Sequence, residues 1–297
     1  MRISVVVPAY NQRTNLGRML ASLAPQVEAD PDCEAVIVDD GSRDDTLRWA
    51  RQWATAHPRF RVLSKRNEGP GRARNFGVRH TGGDVVAFID QDCLAQPGWL
   101  AAIRSAYETD RQLACLEGRT VTEDDKVTPV SHFVTNEGGG FWTCNVSYRR
   151  AAFDAVGGFD HDYVVYAEDT DIALRVQKRG LRVRYSPQML VLHPVYPLQV
   201  RAAVRKLPFI LHSELLLYAK HPDYYAAHRE GGRPDRYFYY YFLLRHYISN
   251  LKLELPWLRR HPVVFLRYAC RMTAERVYLL ALFDWFVRQR QRTRAAR

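Results

Sequence analysis

The chain opens on a run rich in β-branched residues, Ile3-Ser4-Val5-Val6-Val7, and similar runs return at 35–38, 61–63 and 85–89. Runs of this length with little polar alternation predict strands buried on both faces. Between them the apolar spacing changes to that of a helix, over 16–23, 44–56, 71–79 and 97–107. Ser42 or Asp44 can cap the second of these helices, and Pro97 suits the first turn of the fourth. Strands over 113–121 and 141–148 follow. A helix over 168–178 then places Ile172, Ala173 and Val176 on one face, with Gly180 to end it. Further strands are predicted at 181–185 and 189–192. Residues 122–140 are polar and end in Gly138-Gly139-Gly140, a mobile loop that is either a surface excursion or a substrate lid. The alternation predicts an α/β fold: a mixed, mainly parallel sheet flanked by helices.

From about Pro197 the pattern shifts to Arg- and Tyr-rich helix, punctuated by Pro208, Pro222, Pro234, Pro256 and Pro262. Two domains are therefore expected, over 1–196 and 197–297. Charge sharpens the division. The whole chain carries +11, yet residues 197–297 hold 19 Lys and Arg against 7 Asp and Glu, and the first 196 residues are close to neutral. A neutral body with a basic extension predicts that the body does chemistry and the extension meets something anionic. The cysteines, at 33, 93, 115, 144 and 270, are odd in number and show no zinc spacing, which predicts free thiols in a reducing compartment. The first residues enter a strand with no signal-peptide layout, and no stretch reaches the ~18 apolar residues that span a bilayer. A cytoplasmic protein is expected, at most peripheral at the inner face of the membrane.

In open α/β sheets, ligands bind beyond the carboxyl ends of the strands. Asp39-Asp40 and Asp90-Gln91-Asp92 both fall at such ends and are expected to face one crevice. Carboxylates one residue apart past a strand point the same way and repel. A hard divalent cation, Mg²⁺ or Mn²⁺, removes that repulsion and commonly uses such carboxylates together with substrate phosphates. The plainer alternative is an acidic turn. Gln91 is expected to face away from the pair. Glu168, Asp169 and Asp171 open a predicted helix, where their charge suits the helix dipole whether or not they do chemistry.

Several motifs now stand in order: Val5-Val6-Val7-Pro8-Ala9-Tyr10-Asn11, Val38-Asp39-Asp40-Gly41-Ser42, Asn67-Glu68-Gly69-Pro70-Gly71-Arg72-Ala73-Arg74-Asn75, Asp90-Gln91-Asp92, Cys144-Asn145-Val146-Ser147, Val156-Gly157-Gly158-Phe159-Asp160 and Tyr166-Ala167-Glu168-Asp169-Thr170-Asp171. Their order and spacing over residues 3–196 resembles the family-two glycosyltransferases, which have the A-type nucleotide-sugar transferase fold. The resemblance implies inverting, metal-dependent transfer from a nucleotide-diphosphate sugar. It places Pro8, Tyr10 and Asp39 at the base and ribose, with a carboxylate able to accept the ring N–H of uracil; Asp39 otherwise caps a turn with Gly41 and Ser42. It places Arg74 and Asn75 near the nucleotide, Asp90 on ribose or metal, Asp92 on the metal, and His193 beside the leaving diphosphate and metal. Asp169, next to Glu168, matches the family's catalytic base, and burial beside Glu168 would raise its pKa. The Gln-x-x-Arg-Trp signature of processive synthases is absent, so one sugar at a time is expected, moved to a glycan, lipid-linked or other hydroxyl acceptor.

The extension interleaves Arg236 and Arg245 with Tyr237, Phe238, Tyr239, Tyr240, Tyr241 and Phe242. Arg259, Arg260, Arg267 and Arg271 accompany Val263, Phe265 and Leu266. Such a surface suits an anionic membrane and a lipid-linked acceptor, or alternatively packing on the catalytic body or in a homo-oligomer. Nucleic acid is not expected as a partner. A dinucleotide oxidoreductase is excluded, because Tyr10-Asn11-Gln12-Arg13 stands where a Gly-x-Gly-x-x-Gly turn is needed. An inactive transferase-like scaffold that binds an anionic polymer or membrane through its extension is the alternative function, and the intact Asp90, Asp92, Glu168 and Asp169 argue against it.

Overall fold

A computed structural model of the protein describes residues 1–128, 131–164 and 166–197, with shorter stretches within 205–224 and 255–278. Two compact units emerge, one of 1–124 with 133–194 and one of 125–132 with 195–297.

The strands are β1 Ile3–Ala9, β2 Cys33–Asp39, β3 Phe60–Ser64, β4 Val85–Phe88, β5 Leu94–Ala95, β6 Leu113–Val121, β7 Ser131–His132, β8 Val146–Arg149, β9 Arg182–Leu192 and β10 Tyr196–Pro197. The helices are α1 Arg13–Ala29, α2 Thr46–Ala54, α3 Pro70–Arg79, α4 Trp99–Thr109, α5 Arg150–Ala155 and α6 Glu168–Lys178. Eight strands form one sheet in the order β3-β2-β1-β4-β8-β6-β9-β5. The pairings β3/β2, β2/β1, β1/β4 and β6/β9 are parallel, and β8 runs antiparallel between β4 and β6. The expected mixed, mainly parallel sheet is present. Every residue of β1, β2 and β4 is buried, as their continuous apolar runs require.

One core layer lies between the sheet and α1 and α4, built from Val5, Val7, Leu16, Leu20, Ile37 and Trp99. The other, with Val6, Val38, Phe88, Phe153, Phe159 and Ile172, lies under α3 and α6. A Cβ added at Gly77 of α3 would sit 2.5 Å from Val6 Cγ1 and 2.9 Å from Val38 Cγ2. Glycine therefore lets α3 lie close against β1 and β2.

Four expectations are corrected. The two strands expected at 181–185 and 189–192 are one, β9, because the break at Ser186-Pro187 is absorbed by a bulge against β6 between Gly118 and Arg119. The strand expected over 141–148 shrinks to β8, because residues 143–145 form a short 3₁₀ turn. There the Asn145 side chain donates to the carbonyls of Arg119 and Met189 and accepts from Trp99 Nε1. Pro97 lies outside α4, which starts at Trp99 after Gly98 in the left-handed region. The glycine-rich end of the 122–140 loop is tied down: the buried Glu117 carboxylate accepts from Asn136 Nδ2, Gly139 N and Phe141 N. α6 ends as expected, at Gly180 with φ +67.

In the second unit, residues 262–274 are helical. Phe265, Tyr268 and Met272 are buried, whereas Val263, Leu266, Arg259, Arg260 and Arg267 are exposed. The arginine–tyrosine stretch at 236–245 and the terminal arginines lie outside the described residues. All five cysteines are free thiols, four of them buried and only Cys270 exposed.

Candidate active site

The carboxyl ends of β1, β2 and β4 lie side by side, and short polar contacts lace their loops together. Asn11 and Gln12 both have positive φ, which turns the chain sharply out of β1. Asn11 N then donates to Ser42 Oγ, and Arg43 N donates to Asn11 Oδ1. Ser42 therefore joins two loops rather than capping α2; Asp44 accepts from Thr46 N at that helix start. Gln91 is more than a spacer between two acids. Its amide accepts from Tyr10 N at 3.0 Å and donates to Tyr10 O at 3.2 Å, so it clamps the β1 exit to the β4 exit.

Asp39 and Asp40 have different jobs. Asp40 accepts from Lys65 Nζ, Glu68 N and Gly69 N, and so fixes the 65–69 loop. Asp39 uses one oxygen on its own turn, where Oδ2 accepts from Gly41 N, Ser42 N and Ser64 Oγ. Its Oδ1 is buried with no hydrogen-bond partner among the described residues. A buried lone acceptor costs roughly 1–3 kcal/mol, so it marks a place where a donor is called for. Tyr10 stands exposed one residue past Ala9, which pairs in register with Asp39, and two residues after the buried Pro8 of β1.

Arg74, 2% exposed, is the hub of the site. Its Nη2 donates to Asp90 Oδ1 at 2.5 Å and its Nη1 to Glu168 Oε1 at 3.0 Å. Burial works against its charge, but Asp90 and Glu168 outweigh that and raise its pKa. The neighbouring Asn75 is turned elsewhere. Its amide donates to Phe159 O, accepts from Phe159 N and meets His161 Nε2, so it holds the 157–161 turn.

Asp169 stands in the first turn of α6, just after Ala167 in the left-handed region with φ +67. A non-glycine residue there carries local strain, and such strain clusters at functional sites. Thr170 N donates to Asp169 Oδ1. Burial, then the charge of Glu168, push the Asp169 pKa up to about 7, with the Thr170 N–H and Arg74 opposing.

The ligand atoms of Asp92, Cys93 and His193 lie within 4.8 Å of one another. Burial, then the charge of Asp90, raise the Asp92 pKa, and His193 opposes. His193 Nδ1 lies 2.9 Å from Pro194 O, a carbonyl that can only accept. In the neutral ring the proton therefore sits on Nδ1, and Nε2 carries the lone pair. Of the three expected metal ligands the structure brings Asp92 and His193 together. Asp90, turned onto Arg74, is not in that cluster. Cys93 is, and no motif pointed to it; its thiol is held protonated by Cys144 and by burial. The oxygen and imidazole donors fit a cation such as Mn²⁺ or Mg²⁺, whose charge would relieve the repulsion between Asp90 and Asp92.

The model of "Glycosyl transferase family 2" matches residues 4–160, and that of "Glycosyl transferase family group 2" matches residues 85–288. The chain belongs to glycosyl transferase family 2. Among curated relatives, it is 29% identical over 239 residues to the pre-mycofactocin glycosyltransferase of Mycobacterium tuberculosis, covering 74% of this chain and 48% of that one. It spans about half the length of such relatives. Among solved structures, it resembles the mannosyltransferase PcManGT from Pyrobaculum calidifontis in complex with GDP-Man and Mn²⁺, with TM-score 0.61, 20% identity and coverage of 96% of this chain and 87% of that one. It also resembles S. aureus TarS 1-349 in complex with UDP-GlcNAc, with TM-score 0.55, 23% identity and coverage of 65% and 58%. At these identities the two structures establish the fold, the A-type one that the motifs implied.

Proposed function

We propose that this family-two chain is a metal-dependent, inverting glycosyltransferase that moves one sugar at a time from a nucleotide diphosphate, UDP by preference, to the hydroxyl of a glycan or lipid-linked acceptor. One observation carries the reading. A single guanidinium, Arg74, ties the acidic Asp90 at the strand ends to the Glu168-Asp169 pair that opens α6. The donor and acceptor halves of a transfer reaction thereby meet at one point.

In this reading Asp39 Oδ1 accepts the N3–H of uracil, while Tyr10 and Pro8 border the base. Asp90 serves the ribose, and Asp92 with His193 Nε2 holds the cation. Bound there, a divalent cation would supply positive charge to the leaving diphosphate. Asp169, with proton affinity near neutrality, takes the proton of the acceptor hydroxyl. The acceptor oxygen forms its bond to the anomeric carbon as the bond to the diphosphate oxygen breaks on the opposite face, which inverts the centre. Glu168, held by Arg74, keeps the proton affinity of Asp169 high.

The relatives' structures hold both GDP-Man and UDP-GlcNAc, so the preference for uracil rests on Asp39 alone. The test is a panel of nucleotide sugars with Mn²⁺ and purified protein, following slow hydrolysis of the donor and transfer to alcohol or glycoside acceptors. Asp169→Asn should keep donor affinity and lose turnover by a factor on the order of 10² or more. Near wild-type transfer by that variant would remove Asp169 as the base.

The exposed Val263 and Leu266, close to the exposed Arg259, Arg260 and Arg267, support a peripheral contact with an anionic membrane. No helix among the described residues is long and apolar enough to cross a membrane. A lipid-linked acceptor follows from that contact.

A further inference from the structure

The resemblance put Arg74 beside the nucleotide. The geometry gives it different work. Both its terminal nitrogens hold carboxylates, and its buried Nε has no hydrogen-bond partner among the described residues. It is the ion-pair partner of both Asp90 and Glu168. The two acids come from distant parts of the chain, 16 and 94 residues from Arg74. The guanidinium is planar, so fixing one acid fixes the direction of the other. Phe159 lies against the group, with its ring centroid 5.7 Å from the guanidinium carbon, and stiffens it further.

We infer that Arg74 is a positioning residue that partitions the acids of the site, drawing Asp90 away from the Asp92–Cys93–His193 cluster and holding Glu168 in place beside Asp169. This inference rests on the transferase reading. Its physical basis is a crowd of acids at one strand edge. Asp90 and Asp92 stand two residues apart and Glu168 and Asp169 are adjacent, so like charges crowd together on both sides of Arg74. Released from Arg74, Asp90 would join Asp92 and His193 as a further hard oxygen ligand. Cations would then bind more tightly in the absence of nucleotide, and the acceptor side would lose its fixed geometry. A residue that touches the nucleotide behaves differently: its loss weakens donor binding and leaves the cation site alone.

The experiment uses the full chain with Arg74→Gln and Arg74→Lys. Mn²⁺ affinity is measured by calorimetry without nucleotide, UDP affinity at saturating Mn²⁺, and kcat and KM on the best donor from the panel. Arg74→Gln should tighten Mn²⁺ about tenfold, weaken UDP by less than about tenfold as Asp90 leaves the ribose, and lower kcat by roughly 100-fold, more than it raises KM for donor. Arg74→Lys keeps the charge but cannot span both acids, so it should lose kcat to a similar extent. Either of two results overturns the inference: UDP affinity falling more than tenfold with Mn²⁺ affinity unchanged, or recovery of kcat by lysine. Should the glutamine variant fail to fold, Glu168→Gln breaks only the acceptor arm. It should lower kcat and leave Mn²⁺ affinity unchanged, whereas a large shift in Mn²⁺ affinity would overturn the partition. A wild-type protein that binds neither Mn²⁺ nor any nucleotide would instead sink the transferase reading.

Discussion

Asp39 gives one carboxylate oxygen to its own turn and withholds the other, and that division makes a sharp prediction about base choice. In Asp39→Asn the amide oxygen must face the donors Gly41 N, Ser42 N and Ser64 Oγ, because an NH₂ there would meet N–H and O–H groups head on. The NH₂ group then takes the place of Oδ1, and an acceptor becomes a donor. UDP, whose N3 carries a proton, should bind roughly 10- to 100-fold more weakly. CDP, whose N3 accepts, should lose far less or gain. Calorimetry with both nucleotides checks it, and equal losses would remove Asp39 from the base. Asp169 makes a second prediction, in pH. As a base it must be ionised, so kcat should fall with decreasing pH below its pKa of about 7. Its folded pKa is raised from 3.8, so between about 4 and 7 the folded state binds the proton that the unfolded state has released. Stability therefore falls as pH rises through that window. Asp169→Asn should remove this fall and raise Tm at pH 8 relative to wild type while it lowers turnover. A variant no more stable than wild type at pH 8 would show that Asp169 titrates as an ordinary carboxylate.

At the scale of elements, the site depends on how closely α3 approaches the sheet. Gly77 lies one turn beyond Arg74, against Val6 and Val38 of two central strands. Gly77→Ala should cost about 1–3 kcal/mol of stability, read as a lower denaturation midpoint, and should also reduce kcat, because the displaced helix carries Arg74 with it. Val6→Ala opens space for the added methyl and should restore part of both losses; failure to restore either would mean that the clash lies elsewhere. Much of this frame is legible in the sequence. The buried strands announce themselves as unbroken β-branched runs, and the acids at their ends follow from where those runs stop. The rest needs the fold. Arg74 is visible as a motif member, but no local pattern shows that it bridges residues 16 and 94 positions away. Cys93 joins Asp92 and His193 only because β5 pairs antiparallel with β9, matching Leu94 to Leu192. The bond of Gln91 to Tyr10 requires knowing that β1 and β4 are neighbours. Glu117 stands out in an apolar strand: a carboxylate among buried residues has to be satisfied by something, here the backbone of a glycine-rich loop.

For the molecule as a whole, the basic extension yields a salt-dependent prediction. Each exposed basic residue near an anionic bilayer contributes on the order of 1 kcal/mol, screened by salt, and inserted apolar side chains add a part that salt does not remove. The protein should sediment with vesicles rich in anionic lipid, leave them partly in high salt, and bind neutral vesicles weakly. Replacing Arg259, Arg260, Arg267 and Arg271 by Gln should lower vesicle binding and leave donor hydrolysis in solution unchanged. Absence of binding to anionic vesicles at low salt would instead favour packing or self-association for this region. The distribution of thiols offers a way to follow the two units separately. With four cysteines buried and Cys270 exposed, a thiol-reactive dye should attach once, rapidly, in native buffer, and at five sites in denaturant. The natural sequence thus carries a built-in attachment point in its second unit, opposite in the helix to Phe265 and Tyr268, and a fluorophore placed there reports on contact with vesicles without any mutation of the catalytic body.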